Sequence, residues 1–411
     1  MVRFLHSSDW HLGCPYRQIP GDAGALLRER RLEAVREIAA LARACAVDAV
    51  LVAGDVFDRQ HVEEDLLRRT LEALAGFPGP WILLPGNHDA ALPESVWTRL
   101  ERTRAGSSAE LRVAARPEPI AIAEGRAWVL PAPLRARRTL ADLSAWMDEV
   151  ETPPGAIRIG LAHGLVEGLA PNGDEALNPI ARDRAERARL EYLALGDRHG
   201  LLEVDPRTWY SGTPEPDHYR YREAGYVLLV EIDEPGASPR IEPIATARYV
   251  WEERELELPP QGPDELATRI AGLEHVLPEP LGRIVLRLTL SGAVDLRGRR
   301  AVEDALASLR AKLRHLELED RLQLQPSEPD LARLDDGGLV GACARSLQER
   351  ILRAPDEEER AVAALALRLL WREVEGLGTA TERRGRDWRA SRCGTSASSP
   401  GNGASDRSPR A

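Results

Sequence analysis

Lysine is almost missing from this chain. Of 55 basic residues only Lys312 is not arginine, a bias that reads as GC-rich coding rather than recognition chemistry. Cysteine is sparse as well. Cys14, Cys45, Cys343 and Cys393 are scattered with no C-x-x-C spacing, which argues against a disulfide framework or a zinc knuckle. No apolar run is long: Val362–Trp371 is broken by Arg368 and falls far short of the roughly 20 residues that span a bilayer. Met1–Trp10 lacks the apolar core of a secretory signal, so the expected localisation is cytoplasmic, with no membrane partner. Positive charge is also outweighed. With 66 acidic residues the formal net charge is −11, which excludes a protein that coats nucleic acid through its overall field but leaves room for a local basic groove.

What is present is ordinary globular composition, 43% hydrophobic and 29% charged over 411 residues. At about 150 residues per domain that length corresponds to two or three domains. The first two hundred residues alternate short apolar runs with helical patterns: Val2–Leu5, a helix near Ala25–Cys45, Val47–Ala53, a helix near Glu63–Leu74, then Trp81–Pro85. Further runs fall at Ala127–Leu130, Ile157–Ala162, Tyr192–Leu195, Val227–Ile232 and Tyr249–Leu258. Val47–Ala53 is apolar on both faces of the pleat, as a buried strand requires, and the β-α-β rhythm points to an α/β domain with the strands near its centre. A helix–strand–helix–strand unit follows from Asp264 to Leu324, and two helices are expected at Gly338–Arg353 and Asp356–Glu375. The expected division is 1–258, a small α/β unit at 259–326, a helical segment at 327–378 and a disordered tail at 379–411. That tail carries Arg383, Arg384, Arg386, Arg389, Arg392, Arg407 and Arg410, with Trp388 interleaved, and reads as solvated chain, with a loose nucleic-acid tether as the alternative.

Chemistry-bearing residues collect just after the apolar runs. Asp9-Trp10-His11 follows the first and Gly54-Asp55 the second, with Asp58 three residues on. Gly86-Asn87-His88-Asp89 follows the third, His163-Gly164 the run at Ile157–Ala162, and Gly196-Asp197-Arg198-His199 the run at Tyr192–Leu195. The carboxyl ends of strands in an α/β sheet are where ligands sit. Imidazole, carboxylate and amide oxygen without thiolate suit Mn²⁺, Fe or Zn²⁺. A two-metal site needs a bridging carboxylate between ions about 3.5–4 Å apart, and its chemistry is in-line displacement at phosphorus. The glycines beside these residues are expected to turn the backbone and leave room for a phosphate. Trp10 is a candidate for stacking on a base or for the pocket wall, and Asp58 for orienting His88 or His11. His6 is expected to pack or hydrogen-bond beneath the site, while His61, His218, His275 and His315 read as surface residues.

Asp-x-His, Gly-Asp, Gly-Asn-His, His and Gly-x-x-His in this order resemble the signature of calcineurin-like metallophosphoesterases. Phe4-Leu5-His6-Ser7-Ser8-Asp9-Trp10-His11-Leu12-Gly13, Gly54-Asp55-Val56-Phe57-Asp58 and Tyr210-Ser211-Gly212-Thr213-Pro214-Glu215 are similar to bacterial SbcD-type DNA repair exonucleases. The resemblance covers roughly residues 1–250. It implies a four-layer αββα sandwich, with 259–326 as a small α/β cap and a helical C-terminal region. It also implies two divalent metal ions, with Mn²⁺ expected. One ion would take Asp9, His11, Asp55 and His199, the other the shared Asp55 with Asn87, His163 and Asp197. The implied nucleophile is a metal-bridging hydroxide, and His88 faces the scissile phosphate as the catalytic residue. Implied partners are DNA and an SMC-like ATPase, and the resemblance also allows a homodimer; the substrate-binding residues stay unknown.

One departure stands out. The family has histidine where this chain has Asp197, so three carboxylates face two divalent ions, and the site is expected to be less electrophilic and more selective for Mn²⁺. Arg198 beside it either offsets part of that charge or is a surface arginine. Two alternatives stay open: a phosphodiesterase or phosphatase acting on nucleotides or phosphoproteins, and a weakly catalytic subunit that binds DNA or an ATPase.

Overall fold

The structure is a computed structural model and describes residues 1–104, 107–169, 177–259, 262–325, 330, 332 and 338–390. The first apolar runs become β1 (Val2–Ser7), β2 (Ala49–Val52), β3 (Trp81–Leu83) and β4 (Leu111–Val113), all parallel neighbours. The antiparallel strands β13 (Tyr226–Ile232) and β14 (Arg240–Ala245) complete a six-stranded sheet in the order β14-β13-β1-β2-β3-β4. A second sheet is built from β5 (Ile120–Ile122), β6 (Ala127–Ala132), β7 (Ile157–His163), β10 (Tyr192–Gly196), β11 (Leu202–Asp205) and β12 (Thr208–Tyr210). Its order is β11-β12-β10-β7-β6-β5, with β6, β7, β10 and β12 parallel. Between β7 and β10, β8 (Leu165–Val166) and β9 (Pro179–Ile180) pair as a two-stranded ribbon.

Alternation along each strand sets the layers, because successive side chains leave a strand on opposite faces. Phe4, Leu51 and Ile82 of the first sheet meet Val129, Ile159, Leu161 and Tyr192 of the second. The other face of the first sheet, with Leu5, Val50, Val52 and Leu83, packs on α1 (Asp22–Ala44) and α2 (Glu64–Leu74) through Val35, Ile38, Leu67 and Leu71. The second sheet's outer face is covered more thinly. Leu130, Leu193 and Leu195 lie under Met147 of a 3₁₀ turn (Ala145–Asp148) and Ala185 of a four-residue helix (Arg184–Arg187). The result is the helix–sheet–sheet–helix sandwich, its last layer reduced to single turns.

The chain divides into two compact units, one of Met1–Glu255, Gly272–Thr289 and Ser308–Glu319, the other of the remaining residues from Leu256 onward. After the sandwich come β15 (Val250–Leu258), β16 (Ile284–Val294) and β17 (His315–Leu324), a three-stranded sheet in that order, with helices over Pro263–Val276 and Leu296–Lys312. The C-terminal helices span Leu339–Arg353 and Glu357–Ala390 and share an apolar cluster around Ala344, Leu367 and Trp371. The last helix therefore runs past Glu375, where the sequence pattern ends it; residues 391–411 of the expected tail lie outside the described residues. Among the described residues no helix is long and apolar enough to cross a membrane, and Cys14, Cys45 and Cys343 are free.

Candidate metal centre

Parallel strands deliver their carboxyl ends to one edge of each sheet, and the polar residues after β1, β2, β3, β7 and β10 converge there. The turns that carry them are strained. Asp9, His11, Asp55 and Asp197 have φ of 54°, 44°, 52° and 95°, the left-handed region that costs a non-glycine residue on the order of 1–3 kcal/mol. Packing overrides that cost. Gly54 and Gly86 are required by the neighbouring ligand candidates rather than by a phosphate: a Cβ on Gly54 would lie 2.1 Å from His163 Nδ1, and one on Gly86 2.2 Å from Asp55 Oδ1. The expectation that these glycines leave space for substrate is thus corrected, since the space is already filled by the site itself.

Three imidazoles have their tautomer set by an oxygen. His163 Nδ1–H donates to Ala53 O (2.8 Å), His199 Nδ1–H to Asp217 Oδ1 (3.0 Å) and His88 Nδ1–H to Asp58 O (2.9 Å), leaving each Nε2 free. The free nitrogens face other acceptors. His163 Nε2 is 2.7 Å from Asn87 Oδ1, 3.5 Å from Asp55 Oδ2 and 3.6 Å from Asp197 Oδ1. His199 Nε2 is 3.1 Å from His11 Nε2, which is itself 3.7 Å from Asp55 Oδ2. Without a proton between them these atoms would face lone pair to lone pair, and either a proton or a cation relieves the conflict. Asp9, His11 and His199 form one group able to hold a metal ion, Asp9, Asp55 and His163 a second, and His11, Asp58 and His88 a third. The hard and borderline donors of these groups fit divalent cations.

The electrostatics agree. Burial alone would lower the pKa of His163, but Asp55, Asp9 and Asp197 hold it well above the ordinary imidazole value. His199 is likewise pushed up to about 9, against its burial, by Asp217. Burial, with Asp9 and Asp55 close by, raises the Asp197 carboxyl. In each case the centre calls for positive charge, as protons or as metal. Asp89 ties two of the turns together by accepting from Gly86 N–H (2.7 Å) and Phe57 N–H (3.0 Å); burial, then Asp55, pushes it up to about 8.

The structure thus brings Asp9, His11, Asp55, Asn87, His163, Asp197 and His199 together, with His88 stacked edge-on against His11 at 4.8 Å. Asp58 touches both histidines it was a candidate to orient: its carboxylate lies 3.6 Å from His11 Nδ1 and its carbonyl holds His88. His6 is buried under the site, accepting from Tyr192 O–H (2.8 Å) at Nδ1, and burial lowers its pKa to about 3. His61, His218 and His275 are exposed, whereas His315 is half-buried. Trp10 is not a stacking platform. It is 1% exposed, donates to Ser7 Oγ and meets Trp81 edge-on, leaving no face for a base. Arg198 is half-buried over the Tyr221 ring rather than a free surface arginine.

Sequence reasoning missed Asp217. This carboxylate accepts from His199 at one oxygen and from Arg31 Nη2 (2.6 Å) at the other, while Arg31 also donates to Trp10 O (2.7 Å) and Tyr16 Oη (2.7 Å). Burial opposes its ionisation, but His199 and Arg31 hold it far below the usual carboxylate range. The one available signal was an aspartate in the proline-rich turn Thr213-Pro214-Glu215-Pro216-Asp217, with no strand end to mark it.

Residues 2–199 match the protein family described as calcineurin-like phosphoesterase. A subunit of the nuclease SbcCD from Rhodobacter capsulatus is 30% identical over 396 residues, covering 81% of this chain and 89% of that protein. The chain belongs to the calcineurin-like phosphoesterase family. "Uncharacterized metallophosphoesterase YhaO" of Bacillus subtilis is 27% identical over 241 residues, and the chain spans 57% of that relative's length. Among solved structures, the crystal structure of TT1561 of Thermus thermophilus is similar at 13% identity and a TM-score of 0.37, covering 60% of this chain and 99% of that one. This calcineurin-like phosphoesterase therefore carries a metal-binding fold with paired His/Asp clusters, consistent with metal-dependent hydrolysis of phosphate esters.

Proposed function

We propose that this phosphoesterase is a Mn²⁺-dependent DNA exonuclease of the SbcD-like kind, acting in DNA repair. One observation carries the two-ion reading. Asp55 Oδ2 stands 3.7 Å from His11 Nε2 and 3.5 Å from His163 Nε2, the position of a carboxylate shared by two imidazole-lined clusters. Asp9, His11, Asp55 and His199 would hold one ion, and Asp55, Asn87, His163 and Asp197 the other. Divalent cations held there supply charge to the phosphate and lower the pKa of water.

The chain's own residues do the rest. Asp217 and the Ala53 carbonyl fix which imidazole nitrogen is offered, and such oxygen partners raise ligand basicity. The backbone N–H of His88 donates to Asp55 Oδ1 (2.9 Å), which couples the catalytic loop to the shared carboxylate. His88 Nε2 is free to hold a phosphate oxygen, or as imidazolium to give its proton to the departing oxygen. DNA as substrate rests on the likeness to the nuclease component of Rhodobacter capsulatus, whose name makes it part of a complex. A docked partner, an SMC-like ATPase by the same resemblance, is supported by apolar side chains left exposed on the C-terminal helices at Leu352, Val362, Leu365 and Leu369.

The test uses the purified chain, stripped of metal and re-supplied with Mn²⁺, on end-labelled linear duplex DNA beside closed circular DNA and a His88→Ala variant. Loss of linear DNA alone, abolished in the variant, is the expected result. Two bound metals without cleavage of either DNA would move the assignment to a small phosphodiester or to dependence on the partner. No bound metal would favour a scaffold.

A further inference from the structure

We propose that Arg198 and Arg220, which lie over Tyr221 at the His199 end of the metal centre, and the exposed Arg222 next to Tyr221 in the chain form the surface that grips the phosphates of the nucleic-acid strand being cut. This rests on the nuclease reading and adds to it where the strand is held.

The loop that carries Tyr221 is fixed to the site by its backbone. Thr213 N–H donates to His199 O (3.0 Å), Gly225 N–H to Thr213 O (2.9 Å) and Leu201 N–H to Glu223 O (3.0 Å). These bonds set the Tyr221 ring 5.8 Å from the His199 ring. Arg198 and Arg220 lie over the same tyrosine, their guanidinium carbons 5.5 Å and 5.6 Å from its centroid. Arg198 Nε is buried without a hydrogen-bond partner, while Arg220 and Arg222 are exposed.

None of the three arginines has a carboxylate within ion-pair distance among the described residues. Other exposed arginines are neutralised by their neighbours: Arg68 reaches Asp65 and Glu72, and Arg240 reaches Glu231 and Asp233. In a chain of net charge −11, three guanidiniums outside any ion pair stand at the edge of an acidic metal centre. Phosphate binding requires such a concentration of positive charge. A guanidinium resting on an aromatic face keeps its planar donor fork available for phosphate oxygens. Arg198 and Arg220 share one tyrosine ring beside His199, and Arg220 and Arg222 are exposed, so their donors adjoin the metal centre from the solvent side. A strand, which repeats its phosphates, can engage such donors while one of its phosphates sits at the centre.

The test measures binding of a fluorescein-labelled single-stranded oligonucleotide of about 20 residues by the full chain, with Ca²⁺ replacing Mn²⁺, between about 50 and 200 mM salt. Arg220→Ala/Arg222→Ala is expected to weaken binding about tenfold and to flatten the log–log salt slope by about 1.4, the loss of two single-strand phosphate contacts. Arg43→Ala/Arg102→Ala, which removes the same charge from exposed positions on α1 and on the helix Val96–Thr103, is expected to leave the affinity within about twofold of the parent. Arg198→Gln, checked by its melting temperature, is expected to weaken binding in the same direction. If the parent binds DNA and the Arg220/Arg222 variant matches it in affinity and slope, the patch is not the strand contact, and the nuclease reading stands. If the parent neither binds nor degrades DNA, both readings fall. A loss on bis(p-nitrophenyl) phosphate equal to the loss on DNA would place the effect in the metal centre and overturn the proposal.

Discussion

The two ends of the metal centre are held by different means. At the His163 end the imidazole leans on the main chain, donating to Ala53 O and packing on Gly54, with Asn87 and Asp197 facing its free nitrogen. At the His199 end the imidazole leans on a side chain, Asp217, which is clamped by the buried Arg31 of α1. A main-chain carbonyl is present whatever the residue, so the first arrangement rests on no partner side chain, although it does require glycine at position 54. The second depends on a relay of two side chains. It gains charge: a carboxylate behind an imidazole strengthens that ligand more than a carbonyl does.

Removing the residue common to both ends should have the largest effect. Asp55→Asn is expected to lower phosphodiester hydrolysis on the order of 10³-fold and to weaken both metal sites in a titration. Weakening of one site alone would show that Asp55 is not shared. Asp217→Asn keeps an oxygen for His199 Nδ1–H but removes the charge opposite Arg31. It is expected to weaken one of the two metal sites about 10–100-fold and leave the other, read by calorimetric titration. Equal weakening of both would mean the two ends are not independent. Asp197→His removes one carboxylate from the His163 end and should have the smallest effect, in the opposite direction. A gain of about tenfold or less in turnover is expected, with preference shifting from Mn²⁺ toward Zn²⁺. An unchanged preference would show that charge at this position does not select the metal.

The legible part of the site was local. Each of Asp9, Asp55, Asn87, His163 and Asp197 ends or closely follows an apolar strand, and a short apolar run closed by a polar turn is visible in any window. Most of the strands that escaped notice are short, such as Leu111–Val113, Ile120–Ile122 and Thr208–Tyr210, too brief to show a period, whereas the six-residue Arg240–Ala245 is a largely exposed edge strand with Pro243 inside it. Trp10 misled because its neighbours are polar, while its ring is placed by Trp81 of a different strand. Arg31 carried no signal of its own within the helix near Ala25–Cys45. It is buried because Asp217, 186 residues away in the chain, neutralises it.

Sequence alone determined the α/β rhythm, the order of the chemistry-bearing turns and the set of donors, since all three follow from hydrophobic alternation and from which side chains own lone pairs. Packing alone set Asp55 between two histidines, gave the glycines' room to ligands rather than substrate, put Asp217 behind His199, and laid Arg198 and Arg220 over Tyr221. Those outcomes are distances between residues far apart in the chain. They are set when two sheets pack face to face and the turns at their edges are forced together, and no local pattern encodes them.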